Sequence, residues 1–197
     1  MQRSLKTCVC VMFVLAMTSS VFAAEFVLDT GHSSINFAVT HMMISETKGG
    51  FNDYRGTVTY DPADVSKTQV DVTIQAVSIN THLEARDNHL RGPEFFDTEK
   101  FPTITFKSVM AEAKDDGSLI IVGDLTIRDV TKRISIPVKI MGPVKSPYGE
   151  SVIGVSGELT VDRSEFGVAW NKDMDGGGVV VGNDVKVSIN IEAKAQQ

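Results

Sequence analysis

The feature that most constrains this chain is a strict alternation of apolar and polar residues, repeated from end to end. Ile35, Phe37 and Val39 alternate with Ser34, Asn36 and Thr40; Val70, Val72 and Ile74 alternate with Asp71, Thr73 and Gln75. Ile104 and Phe106 sit between Thr103, Thr105 and Lys107. The same period runs through Leu119, Ile121, Leu125 and Ile127, then Ile134 to Ile140, Ile153 to Val161, and Val185 to Ile191. Period two is the signature of a strand with one buried face. With a further strand near Gly56 to Tyr60, the pattern predicts about eight. Turn signals fall between them at Asp61-Pro62, Asp115-Asp116-Gly117, Met141-Gly142-Pro143 and Ser146-Pro147-Tyr148-Gly149. No long helical pattern separates the strands, so parallel βαβ units are not expected. The fold class is all-β and antiparallel, a sandwich or a closed barrel. Gly123 and Gly157 share the apolar parity of their strands. A glycine there permits a bend or leaves room inside. A barrel of about eight strands is either filled by its side chains or holds one small ligand, and periodicity leaves both open.

One stretch interrupts the pattern. Thr81 to Ser108 begins as a short charged helix, passes Phe95-Phe96, and runs into an alternating strand. A barrel would be capped or opened there. Arg86, Asp87, His89 and Arg91 crowd the helix. They are either a solvated face or a polar rim, where arginine could bind phosphate or carboxylate through paired hydrogen bonds. At least one of the two phenylalanines is expected to pack under the helix as a plug.

Residues 1–23 have the pattern of a cleaved secretory signal: Arg3 and Lys6, an apolar run from Cys8 to Met17, then Val21-Phe22-Ala23 before Ala24. The expected mature chain is a single domain, 24–197, in the periplasm. The apolar run is too short to span a bilayer, which takes roughly 20 residues, and no transmembrane segment is expected in the mature chain. Both cysteines, Cys8 and Cys10, lie in the signal, so disulfides and thiol chemistry are excluded from the mature protein. The whole chain has 19 basic and 25 acidic residues; without Arg3 and Lys6 the basic count is 17 and the net charge 17 − 25 = −8. That balance argues against nucleic-acid binding and against docking on an anionic membrane by charge. A homodimer is compatible with the sequence.

No catalytic residue is assigned: there is no GxSxG, and paired carboxylates cannot be picked out. No metal site or cofactor is expected either. The histidines are His32, His41, His82 and His89. His82 and His89 lie seven apart and could share a face of the short helix, but helical zinc sites favour closer spacing. His41 continues the inward parity of Ile35, Phe37 and Val39, so it needs a hydrogen-bond partner, either structural or a ligand headgroup. Asn171, Asp173, Asp175 and Gly176 resemble the start of a calcium loop, but Gly182 stands where the loop requires glutamate.

Read in order, the residues resemble the YceI-like family of exported polyisoprenoid-binding proteins. Leu28-Asp29-x-x-His32-Ser33, Phe37 and His41 resemble its opening strands, followed by Gly50-Phe51 and Gly56. Ser78 to Thr81, Arg86-Asp87-x-His89-Leu90-Arg91, Phe95-Phe96-Asp97, Phe101-Pro102 and Thr105-Phe106-x-Ser108 resemble its most distinctive stretch. Gly123 to Lys132 and Arg163-Ser164-x-Phe166-Gly167-Val168 resemble its later hairpins. Two positions depart: Asn80 stands where aspartate is common, and Asp129 where glycine is common. Asp129 tolerates a left-handed turn, so the hairpin is expected to survive.

The resemblance implies an extended, lipocalin-like antiparallel barrel with a short capping helix, holding a polyisoprenoid or other amphiphilic lipid without catalysis. On that reading Phe37, Val39, Val72, Ile74, Phe106, Leu125, Ile127, Leu159 and Phe166 line the interior. His41, Arg86, His89 and Arg91 lie at the headgroup end. The alternatives are an enzyme acting on a lipid or quinone-like substrate, with His41 or His89 as acid or base, and a filled structural barrel.

Overall fold

The computed structural model describes residues 23–196; the expected signal segment lies outside them apart from its last residue. Among the described residues there are eleven strands and a single α-helix, α1 (Glu84–Arg91). They are β1 (Ala24–Leu28), β2 (Ser34–His41), β3 (Ser45–Phe51), β4 (Tyr54–Tyr60), β5 (Gln69–Gln75), β6 (Ile79–Asn80), β7 (Thr103–Ala113), β8 (Leu119–Ile127), β9 (Val130–Lys145), β10 (Ser151–Asp162) and β11 (Val181–Ala195).

Eight of them close a ring in the order β1-β4-β5-β7-β8-β9-β10-β11 and back to β1, every pair antiparallel. The other three extend the wall at one end. There β2 pairs with β11, β3 with β2, and β6 with β3. The first three staves are therefore each broken at one level: at 29–33, at Asn52-Asp53 and at Ala76–Ser78. The breaks are stitched together. Gln75 N donates to Asp53 O at 2.8 Å, and Asp53 N donates to Ser78 Oγ at 3.0 Å.

Above the breaks β6 pairs only with β3 among the described strands. Helix α1 and the segment after it fill the gap before β7. Arg91 holds the helix in place: Nε donates to Val77 O at 2.7 Å and Nη2 to Ile79 O at 2.9 Å. Asp87, buried in the helix, accepts from Thr81 N at 2.8 Å. Arg128, in the β8–β9 turn, donates to Phe95 O at 3.1 Å and Gly167 O at 2.6 Å, which ties the cap to the barrel rim.

The alternating residues divide as their parity requires, and the two ends differ. Away from α1, the interior is packed solid by Phe26, Ala111, Leu119, Ile153 and Ala193, all buried. Each large apolar side chain there contributes about 1.5–3 kcal/mol. Toward α1 the interior is hollow. The barrel is thus both filled and open, at opposite ends.

Three local expectations change. Met141-Gly142-Pro143 is not a turn but lies within β9, where the register to β10 shifts between Val152 and Gly154; an extra residue in an antiparallel pair is accommodated as a bulge without ending the strand. His82 precedes α1 rather than sharing its face; it takes φ 62°, and its N–H donates to Asn80 Oδ1 at 2.8 Å. In the β8–β9 hairpin the positive φ, 56°, falls on Arg128 and not on Asp129. The side chain of Arg128 is anchored to two carbonyls, and those bonds offset the strain of a non-glycine residue there.

Candidate functional site: an apolar cavity under a helical cap

The hollow half encloses a cavity of about 260 Å³. Its wall is built from the inward parity of eight staves, and it runs from Leu28, Val58 and Val155 up to Leu90, Phe95, Phe96 and Val168 beneath the cap. Along β11 the lining extends from Val181 to Ile191. That is roughly 34 Å of strand, or about 26 Å along the axis at a typical barrel tilt. Every lining side chain is Leu, Ile, Val or Phe except Arg163.

Two rings are held against the wall by glycines. Phe37 lies directly across from Gly49 in the β2–β3 pair. A Cβ on Gly49 would sit 2.7 Å from Phe37 Cζ. A Cβ on Gly123 would sit 2.5 Å from Phe106 Cζ and 2.6 Å from Lys107 O. The glycine in β8 therefore leaves no void of its own. It lets the Phe106 ring lie flat, so that the ring lines the cavity instead of crossing it. Both readings of this glycine hold: its space is taken up by a neighbour's ring, and the β7–β8 register shifts beside it, between Ser108 and Met110.

Arg163 opens a short 3-10 turn at the end of β10 and is 6% exposed. Its Nε donates to Gly182 O at 2.8 Å. Nη1 donates to Val168 O at 2.6 Å and Trp170 O at 3.0 Å, and Nη2 to Val181 O at 3.2 Å and Asn183 Oδ1 at 3.4 Å. A guanidinium has five N–H groups, and here all five are engaged. Burial pushes its pKa down. Asp162, next to it in the chain, is turned to Ser164 N and Oγ. Arg163 therefore clamps 168–170 and 181–183 around the upper cavity and offers no free donor to a ligand.

Phe37, Val39, Val72, Ile74, Phe106, Leu125, Ile127 and Leu159 all line the cavity. Phe166 does not: it is 1% exposed and packed outside the lining, because the 3-10 turn ends the β10 alternation before it is reached. His41, Arg86, His89 and Arg91 lie at the capped end, and none is in the lining. The carbonyl of His41 closes the β2–β3 turn, accepting from Ile44 N at 3.2 Å. Arg86 donates to Thr81 Oγ1 at 2.7 Å and Thr81 O at 2.8 Å. His89 meets Glu94 Oε2 at 2.8 Å and packs edge-on to Phe95 and Trp170. Phe95 and Phe96 both line the cavity, which places the expected plug. Neither Leu90, which with Ala85 makes up the apolar side chains of the helix, nor Arg163 is among the expected lining residues; both stand only within the stretches that carry the family resemblance.

On the outer wall, at the β1–β2 break, Asp29, His32 and Glu192 offer ligand atoms close together. Lys194 Nζ lies 2.8 Å from Asp29 Oδ2, so the carboxylate of that group is already paired with an ammonium. Hydrogen bonds from Lys194 and then His32 hold the Asp29 carboxyl far below the usual carboxylate range. Asp29 in turn raises His32. In the would-be calcium loop, Asn171 is spent on Val181, accepting from its N–H at 3.1 Å and donating to its carbonyl at 2.7 Å. Among the described residues no helix is long and apolar enough to cross a membrane.

A closed antiparallel barrel of eight staves, hollow and apolar toward one end and capped there by a helix, is a lipocalin-like architecture. The chain matches the YceI-like domain over residues 26–193 and belongs to that family. A UPF0312 protein of Staphylococcus aureus (strain USA300) is 39% identical over 171 residues, covering 85% of this chain and 96% of the relative. The crystal structure of a Campylobacter jejuni YCEI protein superposes with a TM-score of 0.69 at 34% identity, covering 80% of this chain and 90% of that one. A polyisoprenoid binding domain from Saccharophagus degradans, implicated in plant cell wall breakdown, shares the fold with a TM-score of 0.65. Its identity is 15%, and the match covers 88% of this chain and 99% of that one.

Proposed function

We propose that this is an exported, periplasmic lipid-binding protein that holds a polyisoprenoid or similar long-chain amphiphile in the barrel and performs no catalysis on it. The observation that carries the reading is the composition of the cavity wall. Apart from Arg163 it is wholly hydrocarbon, and the donors of Arg163 are all engaged by the protein. Such a wall rewards length in an apolar tail and offers no polar group for a compact solute. Burial contributes about 0.8 kcal/mol per CH₂, so ten buried methylenes give roughly 8 kcal/mol before the cost of association. Among the described residues no histidine, carboxylate, serine or lysine is in the cavity lining, so a chain bound there meets no acid, base or nucleophile in that wall. This supports a carrier over the enzyme alternative. The family and the polyisoprenoid-binding neighbour support the same ligand class.

Phe37, Val39, Val72, Ile74, Phe106, Leu125, Ile127 and Leu159 would contact the tail. The headgroup would lie at the α1 end, where Arg86, Arg91 and His89 hold the cap closed and His41 marks the rim. The test is titration of the mature protein with detergent-dispersed prenols of increasing length. Affinity rising with each isoprene unit until the cavity is full is expected. Affinity independent of length, or no binding, would sink the reading.

A further inference from the structure

The hairpin between β2 and β3 ends in three consecutive apolar residues at the surface. Met42, Met43 and Ile44 are 43%, 60% and 85% exposed. Two of them take positive φ, 52° and 63°, a region that glycine and asparagine occupy more easily. The fold keeps methionine there although the core does not use it. The tip stands at the capped end of the barrel: Met42 N donates to Val180 O at 2.8 Å, next to Val181 in the cavity lining. Met174 adds to the patch. A Cβ on Gly178 would lie 3.1 Å from Met43 Cγ and 3.4 Å from Met174 Cε, so the two methionines flank that glycine.

We propose that this tip docks the capped end of the barrel on a lipid leaflet, from which the ligand is loaded; the proposal rests on the lipid-binding reading above. A long-chain amphiphile resides in membranes and has almost no free aqueous concentration, so collecting it requires contact. Exposed apolar side chains beside the capped end of the cavity provide that contact by shallow insertion, as interfacial segments do. A second copy of this chain is the weaker fit, because a stable dimer buries about 800 Å² per partner and four side chains fall well short. Charge selects the kind of leaflet. Asp173 and Asp175 flank Met174 in the chain, with Lys172 before them, and the mature chain carries a net charge of 17 − 25 = −8. Attachment is therefore apolar, to zwitterionic headgroups, and anionic lipid does not strengthen it.

The test compares the mature protein with the double variant Met43→Asn, Ile44→Ser. Asparagine accepts the left-handed backbone, so the hairpin is not endangered. Three readouts are taken: flotation with phosphatidylcholine–phosphatidylethanolamine vesicles, the rate of uptake of a fluorescent prenol from those vesicles, and equilibrium binding of the same prenol dispersed in detergent. Each methylene withdrawn from the leaflet is roughly a fourfold change in partitioning. Flotation and uptake should therefore fall at least about tenfold, while binding of dispersed prenol stays unchanged. Phosphatidylglycerol should not increase flotation. Unchanged flotation and uptake in the variant would overturn the proposal. So would a wild-type dimer in sedimentation that the variant dissociates, which would assign the tip to an interface between copies, or a wild-type protein that never floats with lipid. Failure of both proteins to bind dispersed prenol would instead reject the ligand reading.

Discussion

Replacing Gly123 with alanine tests the construction of the cavity wall at a single methyl group. The new Cβ would lie 2.5 Å and 2.7 Å from Phe106 Cζ and Cε2, and 2.6 Å from Lys107 O. Comfortable carbon contacts are about 3.5–4.0 Å, so the ring must move by about 1 Å and the facing carbonyl must also yield. Removing a glycine from a strand restores roughly 0.4–1 kcal/mol by restricting the unfolded chain. Overpacking costs roughly 1–3 kcal/mol. The close approach to backbone, which cannot rotate away, places the net effect at about 1–2 kcal/mol destabilising. At this chain length that lowers Tm by about 2–8 °C. Function should suffer as well. With the wall side blocked, the ring of Phe106 has only the cavity to move into, and prenol affinity falls. Urea denaturation and prenol titration read the two effects. Adding Phe106→Leu should restore affinity more than stability, because the clash with Lys107 O remains. A Gly123→Ala protein that is stabilised and binds prenol normally would refute this account of the wall.

Arg163→Met should destabilise by about 2 kcal/mol, because it strips this donor from the part-buried or buried carbonyls of Val168, Trp170 and Gly182, while Val181 O keeps Asn171; Arg163→Lys should not rescue it, having three donors in place of a five-donor fork. Equilibrium denaturation checks both. Arg91→Ala frees the carbonyls of Val77 and Ile79 from the cap and should speed prenol release with a smaller change in overall stability, seen in displacement kinetics. The Asp29–His32 pair gives a pH dependence of fixed sign. The His32 pKa is raised, so its contribution is complete below about 6.5, the unfolded value, and is lost as pH rises through the folded one. The Asp29 pKa is depressed, so its contribution is complete above about 3.9 and is lost only as pH falls through the folded value. The contribution of the pair should therefore decline as pH rises above about 6.5, and His32→Gln should remove that decline, measured by denaturation across pH.

Most of the barrel was legible because a strand with one buried face writes period two into its sequence. Eight of the nine residues picked for the lining have the right side and the right depth, from Phe37 in β2 to Leu159 in β10. Phe166 failed because parity holds only while the strand continues, and the chain turns at Arg163. The broken staves were not legible, since Asp29 to Ser33 and Asn52-Asp53 look like ordinary turns, and their alignment at one level is a property of the assembled sheet. Arg86 and Arg91 were legible as special but not in their partners. A guanidinium that will bind backbone carbonyls has the same sequence appearance as one that will bind a phosphate, and Arg86, Arg91 and Arg163 all chose carbonyls. The hollow interior was also beyond periodicity: whether glycines at 49 and 123 leave a void or receive a ring depends on Phe37 and Phe106 across the sheet.

The central claim is that this barrel carries a long apolar chain, and the most direct measurement is mass spectrometry of organic extracts from the mature protein purified from its native compartment. The account predicts a copurifying polyisoprenoid or similar long-chain amphiphile in an amount comparable to the protein, reduced in the Gly123→Ala variant. Extracts free of such lipid, from protein that also fails to take up added prenol, would contradict it.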